Sequence, residues 1–240
     1  MHRPAALVGS IEAGLAQALA CAGFPLRLAG GAWHLEPEPA IDIDVALAGI
    51  AQWMRDHGFA GAWRDELLAV TDAAGAALGR MERAAVRPLG IATRAVHLVV
   101  CDQRGHAWVQ QRAFDKATDP GRWDTTMGGL VAAGETTPQT LARETWEEAG
   151  LRLADLRGVA PLGRITVRRP VAEGYMVEHI EMFEATLPGA SMPVNQDGEV
   201  ECFECLGPAA LVARLQADAF TVEAAMILVT WLERRAAAER

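Results

Sequence analysis

The sequence predicts an α/β protein in which a mixed β-sheet lies between helical layers, preceded by a small α+β domain. Three observations support this fold class. Strand-like apolar runs stand on both sides of one amphipathic helix that ends near residue 149. Two further helical patterns close the chain, at residues 208–216 and 221–235. Of the 240 residues, 51% are apolar and 22% are charged, which is enough for a well-buried core.

The N-terminal α+β domain is expected over residues 1–88, with two helices and two hairpins. The first helix is expected at residues 10–22, and a hairpin at residues 24–35 turns at a glycine pair. The second helix, at residues 44–57, is expected to begin with Asp44 as its N-cap and to end at Gly58. Residues 66–85 indicate a strand, an Asp-Ala-Ala-Gly turn and a second strand.

The second predicted domain covers residues 89–240, and a Pro-Leu-Gly break at 88–90 marks the boundary. Residues 93–101 are apolar on both faces, which indicates a central strand, and residues 106–113 return as its partner. Further strands are expected at 159–167, 175–187 and 200–206. In the C-terminal helix we expect Val222, Met226 and Val229 to face inward.

Composition and charge exclude several classes of function. A net charge of −9 argues against a nucleic-acid-binding surface, because phosphate backbones favour an excess of Lys and Arg. The N-terminus lacks the apolar core of a signal peptide, and no apolar run approaches the ~18 residues of a membrane span. We therefore expect a cytoplasmic protein without a membrane partner.

The four cysteines do not suggest a disulfide framework in a chain of this length. Cys21 and Cys101 stand in apolar surroundings and are expected in the core. Cys202 and Cys205 form a C-x-x-C pattern, but their segment alternates like a strand. The two side chains would then point to opposite faces, which argues against a zinc or redox site formed by this pair.

The most informative stretch is GLVAAGETTPQTLARETWEEAGL, residues 129–151. Thr137 is a candidate N-cap for its helix. On that helix, Glu144, Glu147 and Glu148 fall within an arc of roughly 100° on one face, where no lysine offsets their repulsion. A hard divalent cation such as Mg²⁺ would remove the repulsion, because it binds carboxylate oxygens; an ordinary acidic surface helix is the alternative.

The spacing of this stretch resembles the signature of the Nudix hydrolases. Gly129, Glu135 and the run RETWEEAGL at 143–151 occupy the family's positions, and Thr145 stands where the family usually has an aliphatic residue. The resemblance implies a Nudix α/β/α sandwich that hydrolyses a diphosphate linked to a second group. It also implies Mg²⁺ or Mn²⁺ as the cofactor.

The same resemblance assigns roles to individual residues. Glu144 and Glu148 are the expected main metal ligands, Glu147 shares ligation or acts as general base, and the backbone carbonyl of Gly129 approaches the metal. Glu147, Glu148 and Arg143 are the expected catalytic residues. A salt bridge from Arg143 to the preceding loop would hold that loop, through Glu135, on the helix.

Other charged and polar residues each have two readings. Arg112 and Lys116 flank the predicted pocket and are candidates for substrate binding at the distal phosphate, with a solvated surface pair as the alternative. Glu199 is a candidate for an additional carboxylate from a later loop, with a turn-stabilising surface residue as the alternative. His97 and His179 are expected to be packed and hydrogen-bonded rather than catalytic.

The resemblance extends to a Nudix subgroup in which a small domain of unknown function precedes the hydrolase. This subgroup includes the Nudix part of fungal fusions with thiamine pyrophosphokinase, and the segments PLGIATRAVHL, WVQQR, KATDPGRWD and NQDGEVECFECL support it. It implies conversion of oxidised thiamine diphosphate, or thiamine diphosphate itself, to the monophosphate. The alternatives are a hydrolase of oxidised dGDP or ADP-ribose, and a Nudix-fold binding module without turnover. A small diphosphate is the expected partner, and a homodimer is left open.

Overall fold

The computed structural model describes residues 6–238, and the chain forms two compact units. The first unit runs to Thr93 and takes in the short segments 132–134 and 168–178; the second comprises the rest from Arg94 onwards. The predicted boundary after residue 88 stays a prediction. The predicted lack of a signal peptide rests in part on residues 1–5, which lie outside the described residues.

The first unit contains two helices, two hairpins and a short third helix, as predicted apart from the third helix. The glycine pair at 30–31 turns the first hairpin with positive φ at both positions. Both hairpins are antiparallel. The elements are α1 (Ala13–Cys21), β1 (Leu26–Ala29), β2 (Ala32–Leu35), α2 (Ile43–Asp56), β3 (Leu67–Thr71), β4 (Ala77–Glu82) and α3 (Arg83–Val86).

Two predictions for this unit are wrong in detail. The N-cap of α2 is Asp42, whose carboxylate accepts a hydrogen bond from the backbone N–H of Asp44 at 2.8 Å. Asp44 instead accepts from the backbone N–H and the Nε–H of Arg80 on β4, at 2.7 and 2.8 Å. Cys21 is exposed rather than in the core, because it lies on the solvent side of the last turn of α1.

The second unit contains most of the predicted mixed sheet with helices; residues 92–93 and 168–178 of its strands are counted with the first unit. The predicted α/β fold class is confirmed. Five strands follow the order β11-β6-β5-β10-β9, while β7 pairs with β6 and β8 pairs with β5. The strands are β5 (Ala92–Cys101), β6 (Ala107–Arg112), β7 (Trp123–Asp124), β8 (Met127–Leu130), β9 (Arg157–Val171), β10 (Gly174–Thr186) and β11 (Val200–Leu206); the helices are α4 (Thr137–Ala149), a 3₁₀ turn (Leu153–Asp155), α5 (Pro208–Gln216) and α6 (Val222–Ala238).

The short strands β7 and β8 were not predicted. Gly128 and Gly129, which the sequence indicates as a flexible pair, lie on β8 opposite His97 and Val96 of β5. Neither glycine has positive φ. The glycine pair is therefore extended backbone in the central part of the sheet, where the absence of side chains permits close packing.

Two further corrections concern side-chain orientation. Val222, Met226 and Val229 are 42–49% exposed, while α6 buries Ile227, Leu228 and Trp231. The helix is apolar on nearly every side, and the face that carries the larger residues packs inward. His179 is exposed and pairs with the Thr166 hydroxyl, because it lies on the outer face of β10.

Cys101 is buried, as expected. Within residues 6–238, no helix is both long and apolar enough to cross a membrane.

Candidate active site

Helix α4 is held in place by its caps and by an apolar face. Its N-cap is Thr136, not Thr137: the Thr136 side chain and the side chain of Gln139 cap each other's backbone N–H groups. The C-cap Gly150 has φ 62°, the left-handed conformation that glycine adopts at low cost. Leu141 and Ala149 belong to the buried core that also contains residues of β5 and β8. The neighbouring, acidic face of α4 is therefore held in a fixed orientation.

Glu148 is a buried carboxylate, with 2% of the residue exposed. Its Oε2 accepts two hydrogen bonds, from the backbone N–H of Gly128 at 3.0 Å and from Nε2 of Gln110 on β6 at 2.9 Å. Burial raises the pKa of Glu148 to about 8, with a smaller contribution from Glu144, and the two donors and the charge of Lys116 oppose this rise. Both of these donors act on the same carboxylate oxygen, Oε2.

Glu144 lies directly over the backbone of Gly129. A Cβ on Gly129 would overlap the Glu144 carboxyl group. A side chain at this position would therefore displace the Glu144 carboxyl group, whereas the φ angle of Gly129 places no demand for glycine. Burial raises the pKa of Glu144 to about 7, the carboxylates of Glu147 and Glu199 add to the effect, and Arg143 opposes it.

Arg143 joins the acidic face of α4 to the loop before it. Its Nε and Nη2 donate to the two carboxylate oxygens of Glu135 at 2.9 and 2.8 Å, which confirms the predicted salt bridge. Its Nη1 donates to Glu144 at 2.8 Å and to Glu147 at 3.0 Å. One guanidinium thus offsets part of the repulsion among these carboxylates, and its own pKa is raised, chiefly by the hydrogen bonds to Glu135.

Arg112 and Lys116 bind different partners in the structure. The Arg112 guanidinium donates to the backbone carbonyl of Thr118 and, at 3.2 Å, to the carboxylate of Asp124, so it holds the loop after β6. Lys116 forms a short ion pair with Glu199. The charge of Lys116 acts on Glu148 and that of Glu199 on Glu144, so both side chains belong to the carboxylate site.

A buried polar chain stands behind the glycine strand. The ring of His97 packs against Gly128, where a Cβ would overlap it. His97 Nδ1 is 2.8 Å from the Thr125 hydroxyl, which itself donates to the carbonyl of Met127, so Nδ1 carries the proton. Thr125 N–H in turn donates to Asp124 at 2.8 Å. His97 is packed and hydrogen-bonded, as predicted, and it supports the glycine strand.

Sequence reasoning missed Gln110 and the polar pair Asp124-Thr125. Gln110 is 2% exposed and its Oε1 has no hydrogen-bond partner. The signal was present in the sequence: an amide that follows the apolar start of a strand has to find a polar partner if it is buried. The partner itself lies 38 residues further along the chain, so no local pattern identifies it.

The donor set at α4 fits a hard divalent cation. Carboxylate and carbonyl oxygens are the ligands that Mg²⁺ and Mn²⁺ prefer, and a Cβ at Gly129 would fill the space beside Glu144. Arg143 forms ion pairs with the carboxylates of both Glu144 and Glu147, so its guanidinium stands between these two carboxylates. Within residues 6–238, the one group of three His, Cys, Asp or Glu donors that all lie within 4.8 Å of one another is elsewhere in the sheet.

Comparison with known families and proteins identifies the fold. A family model described as the NUDIX domain matches residues 92–226. An uncharacterised Nudix hydrolase of Pseudomonas aeruginosa is 40% identical over 92 residues, 38% of this chain and 54% of the relative. Nudix hydrolase 20, chloroplastic, of Arabidopsis thaliana is 28% identical over 195 residues, 79% of this chain and 52% of the relative. The chain spans about half the length of these two relatives.

Two further similarities bear on reaction class and fold. An isopentenyl-diphosphate Delta-isomerase of Streptomyces coelicolor is 30% identical over 158 residues, 65% of this chain and 78% of the relative. The crystal structure of DR0079 from Deinococcus radiodurans superposes with a TM-score of 0.55 at 22% identity, and covers 71% of this chain and 98% of that one. This structural similarity shows the fold alone.

Proposed function

This chain belongs to the Nudix domain family, and from that premise we propose that it is a divalent-metal-dependent hydrolase of a phosphoanhydride bond in a small diphosphate. The metal is Mg²⁺ or Mn²⁺. One observation carries the proposal: a buried carboxylate, Glu148, is held by two donors on one oxygen beside Glu144, which lies over a glycine backbone. A solvated acidic helix would not bury a carboxylate in this way, because desolvation of an unpaired charge is costly.

The roles of the residues follow from their contacts. Glu144, Glu148 and the carbonyl of Gly129 would hold the cation, and Glu147, whose side chain is 42% exposed, either shares ligation or accepts a proton from the attacking water. When bound, the cation neutralises phosphate oxygens and lowers the pKa of a water molecule. Arg143 keeps the carboxylates and the preceding loop in register through its bonds to both.

Lys116 and Glu199 complete the charge arrangement. In the described structure they form an ion pair beside the carboxylates. A diphosphate would offer Lys116 a second anionic partner, and Glu199 could then act as the additional carboxylate of the site. Arg112 was also expected at the distal phosphate. Its guanidinium donates hydrogen bonds to Thr118 and Asp124, so we assign it the role of supporting the loop that carries Lys116.

The organic part of the substrate is proposed to be thiamine or an oxidised form of it, so that the reaction yields the monophosphate. The support for this choice is the resemblance of four segments to the thiamine-associated subgroup. The competing substrates are oxidised dGDP, ADP-ribose and the prenyl compound isopentenyl diphosphate. A binding module without turnover is the remaining alternative, and the complete set of acidic residues at the site argues against it.

The test is a substrate screen with Mg²⁺ or Mn²⁺ that resolves products by chromatography. Oxidised and intact thiamine diphosphate, oxidised dGDP, ADP-ribose and isopentenyl diphosphate are supplied separately to the full chain. Cleavage of a thiamine diphosphate, lost on addition of EDTA, is the expected result. Cleavage of a nucleotide alone would overturn the thiamine proposal, and isomerisation of the prenyl substrate without cleavage would overturn the hydrolase proposal.

The variant Glu148→Gln tests the site itself. Because the amide keeps the shape but not the charge, turnover is expected to fall by orders of magnitude while the protein stays folded. Glu233→Gln is the matched control, since Glu233 is an exposed helical glutamate on α6. Retained turnover in Glu148→Gln, or an equal loss in the control, would refute the assignment.

A further inference from the structure

A second group of potential metal ligands lies at the turn between β5 and β6. Asp102 and His106 stand at the two ends of this turn, and the backbone N–H of Asp102 donates to the carbonyl of His106 at 2.9 Å. Cys205 lies on the neighbouring strand β11, opposite Trp108. One donor atom from each of the three side chains lies within 4.8 Å of the others. All three residues belong to the second unit.

The turn fixes the carboxylate of Asp102. Its Oδ1 accepts from the backbone N–H groups of Arg104 and His106, each at 2.8 Å. Its Oδ2 points towards His106 and lies 3.5 Å from Nδ1 of that ring. In a tetrahedral zinc site with bonds of ~2.1 Å, two such ligands stand about 3.4 Å apart. Asp102 Oδ2 and His106 Nδ1 therefore already have the separation expected of two ligands of one zinc ion.

The third donor and the ring orientation agree with the same geometry. The far edge of the His106 ring packs on Gly207, where a Cβ would stand 3.4 Å from Cδ2 and Nε2, so Nδ1 faces Asp102. The Cys205 thiol lies 3.9 Å from the carbonyl of His106. Arg235 lies beside the same turn, but its guanidinium contacts Cys101 at 3.9 Å. The three donors are half-buried, so an ion can reach them.

We propose that Asp102, His106 and Cys205 form a second metal site, separate from the acidic face of α4, for a divalent ion of the Zn²⁺ class. A thiolate and an imidazole select a borderline ion, whereas the all-oxygen set at α4 selects Mg²⁺ or Mn²⁺. Three protein ligands with a water in the fourth position is a common zinc coordination. The bound ion would tie the β5–β6 turn to strand β11. The predicted absence of a zinc site formed by Cys202 and Cys205 together is compatible with it, because only Cys205 takes part.

Cobalt(II) distinguishes the two sites spectroscopically. The metal-free chain, kept reduced with a non-thiol reductant, is titrated with Co²⁺ and the near-ultraviolet absorbance is recorded. A thiolate-to-cobalt charge-transfer band that saturates at one ion per chain and disappears on addition of Zn²⁺ is the expected result. The α4 site has no sulfur ligand and cannot produce this band.

Variants identify the ligands and keep this proposal independent of the hydrolase proposal. Cys205→Ser and His106→Gln are expected to abolish the band, while Cys202→Ser, the matched control on the same strand, and Glu148→Gln retain it. Circular dichroism confirms that each variant is folded. A wild-type protein without the band, or a band that survives in Cys205→Ser, would overturn the proposal. A band in a chain that hydrolyses no diphosphate would support this site while refuting the proposed hydrolase activity.

Discussion

Replacing Glu148 with Gln is expected to change how the stability of the metal-free protein depends on pH. Burial raises the pKa of Glu148 from 4.5 to about 8, so between these values the folded protein binds more protons than the unfolded chain. Stability then falls as pH rises through this window. The cost to the folded state is about 1 kcal/mol at pH 5 and about 4 kcal/mol at pH 8, a difference of about 3 kcal/mol.

Because glutamine does not titrate, Glu148→Gln lacks this component. Between pH 5 and pH 8 the wild type is expected to lose about 3 kcal/mol more than the variant, and any constant cost of the amide cancels in the comparison. For a chain of this size that corresponds to a divergence of about 6–12 °C in Tm. Mg²⁺ at pH 8 should raise the Tm of the wild type and leave that of the variant nearly unchanged.

The assay is thermal unfolding followed by circular dichroism in EDTA, at pH 5, 6, 7 and 8. Glu233→Gln is the matched control, because Glu233 is an exposed helical glutamate on α6. Its pH profile should remain close to that of the wild type. Parallel profiles for the wild type and Glu148→Gln would show that burial does not raise the pKa of Glu148, and would refute this prediction.

Three further substitutions test the surroundings of the site. Gln110→Leu removes one of two donors to the Glu148 carboxylate, and the Mg²⁺ concentration for half-maximal turnover should rise about tenfold; an unchanged requirement would exclude this role. Gly129→Ala must displace the Glu144 carboxyl group, and kcat/KM should fall by about 100-fold while the protein stays folded. Arg143→Lys cannot form the bidentate pair, and denaturant unfolding should show a loss of about 1–3 kcal/mol; a loss below 0.5 kcal/mol would refute that estimate.

The acidic face of α4 could be predicted because its information is local. Helical spacing alone places Glu144, Glu147 and Glu148 on one side, and the salt bridge from Arg143 to Glu135 spans only eight residues. The main strands were predictable for the same reason, because the apolar pattern of each strand lies within one short segment of the sequence. The correct N-cap of α4 was missed by one position because adjacent threonines offer the same hydroxyl.

What the sequence could not show depends on contacts between distant segments. Gln110 meets Glu148 across 38 residues, and Lys116 meets Glu199 across 83. The burial of α6 could not be assigned because apolar residues surround the helix, so the periodic pattern permits more than one inward face. Short strands such as β7, of two residues, carry no periodicity that could be recognised.

The position of Gly129 on a paired strand has a consequence for how this protein can evolve. The backbone oxygen and the helix carboxylates are anchored to the sheet, so their mutual spacing is set by the framework and not by any surface loop. If the proposed hydrolase activity is correct, loop residues that do not contact these carboxylates could vary and admit a different organic group while the spacing of the carboxylates stays the same. Selectivity and reactivity would then be inherited through separate sets of mutations.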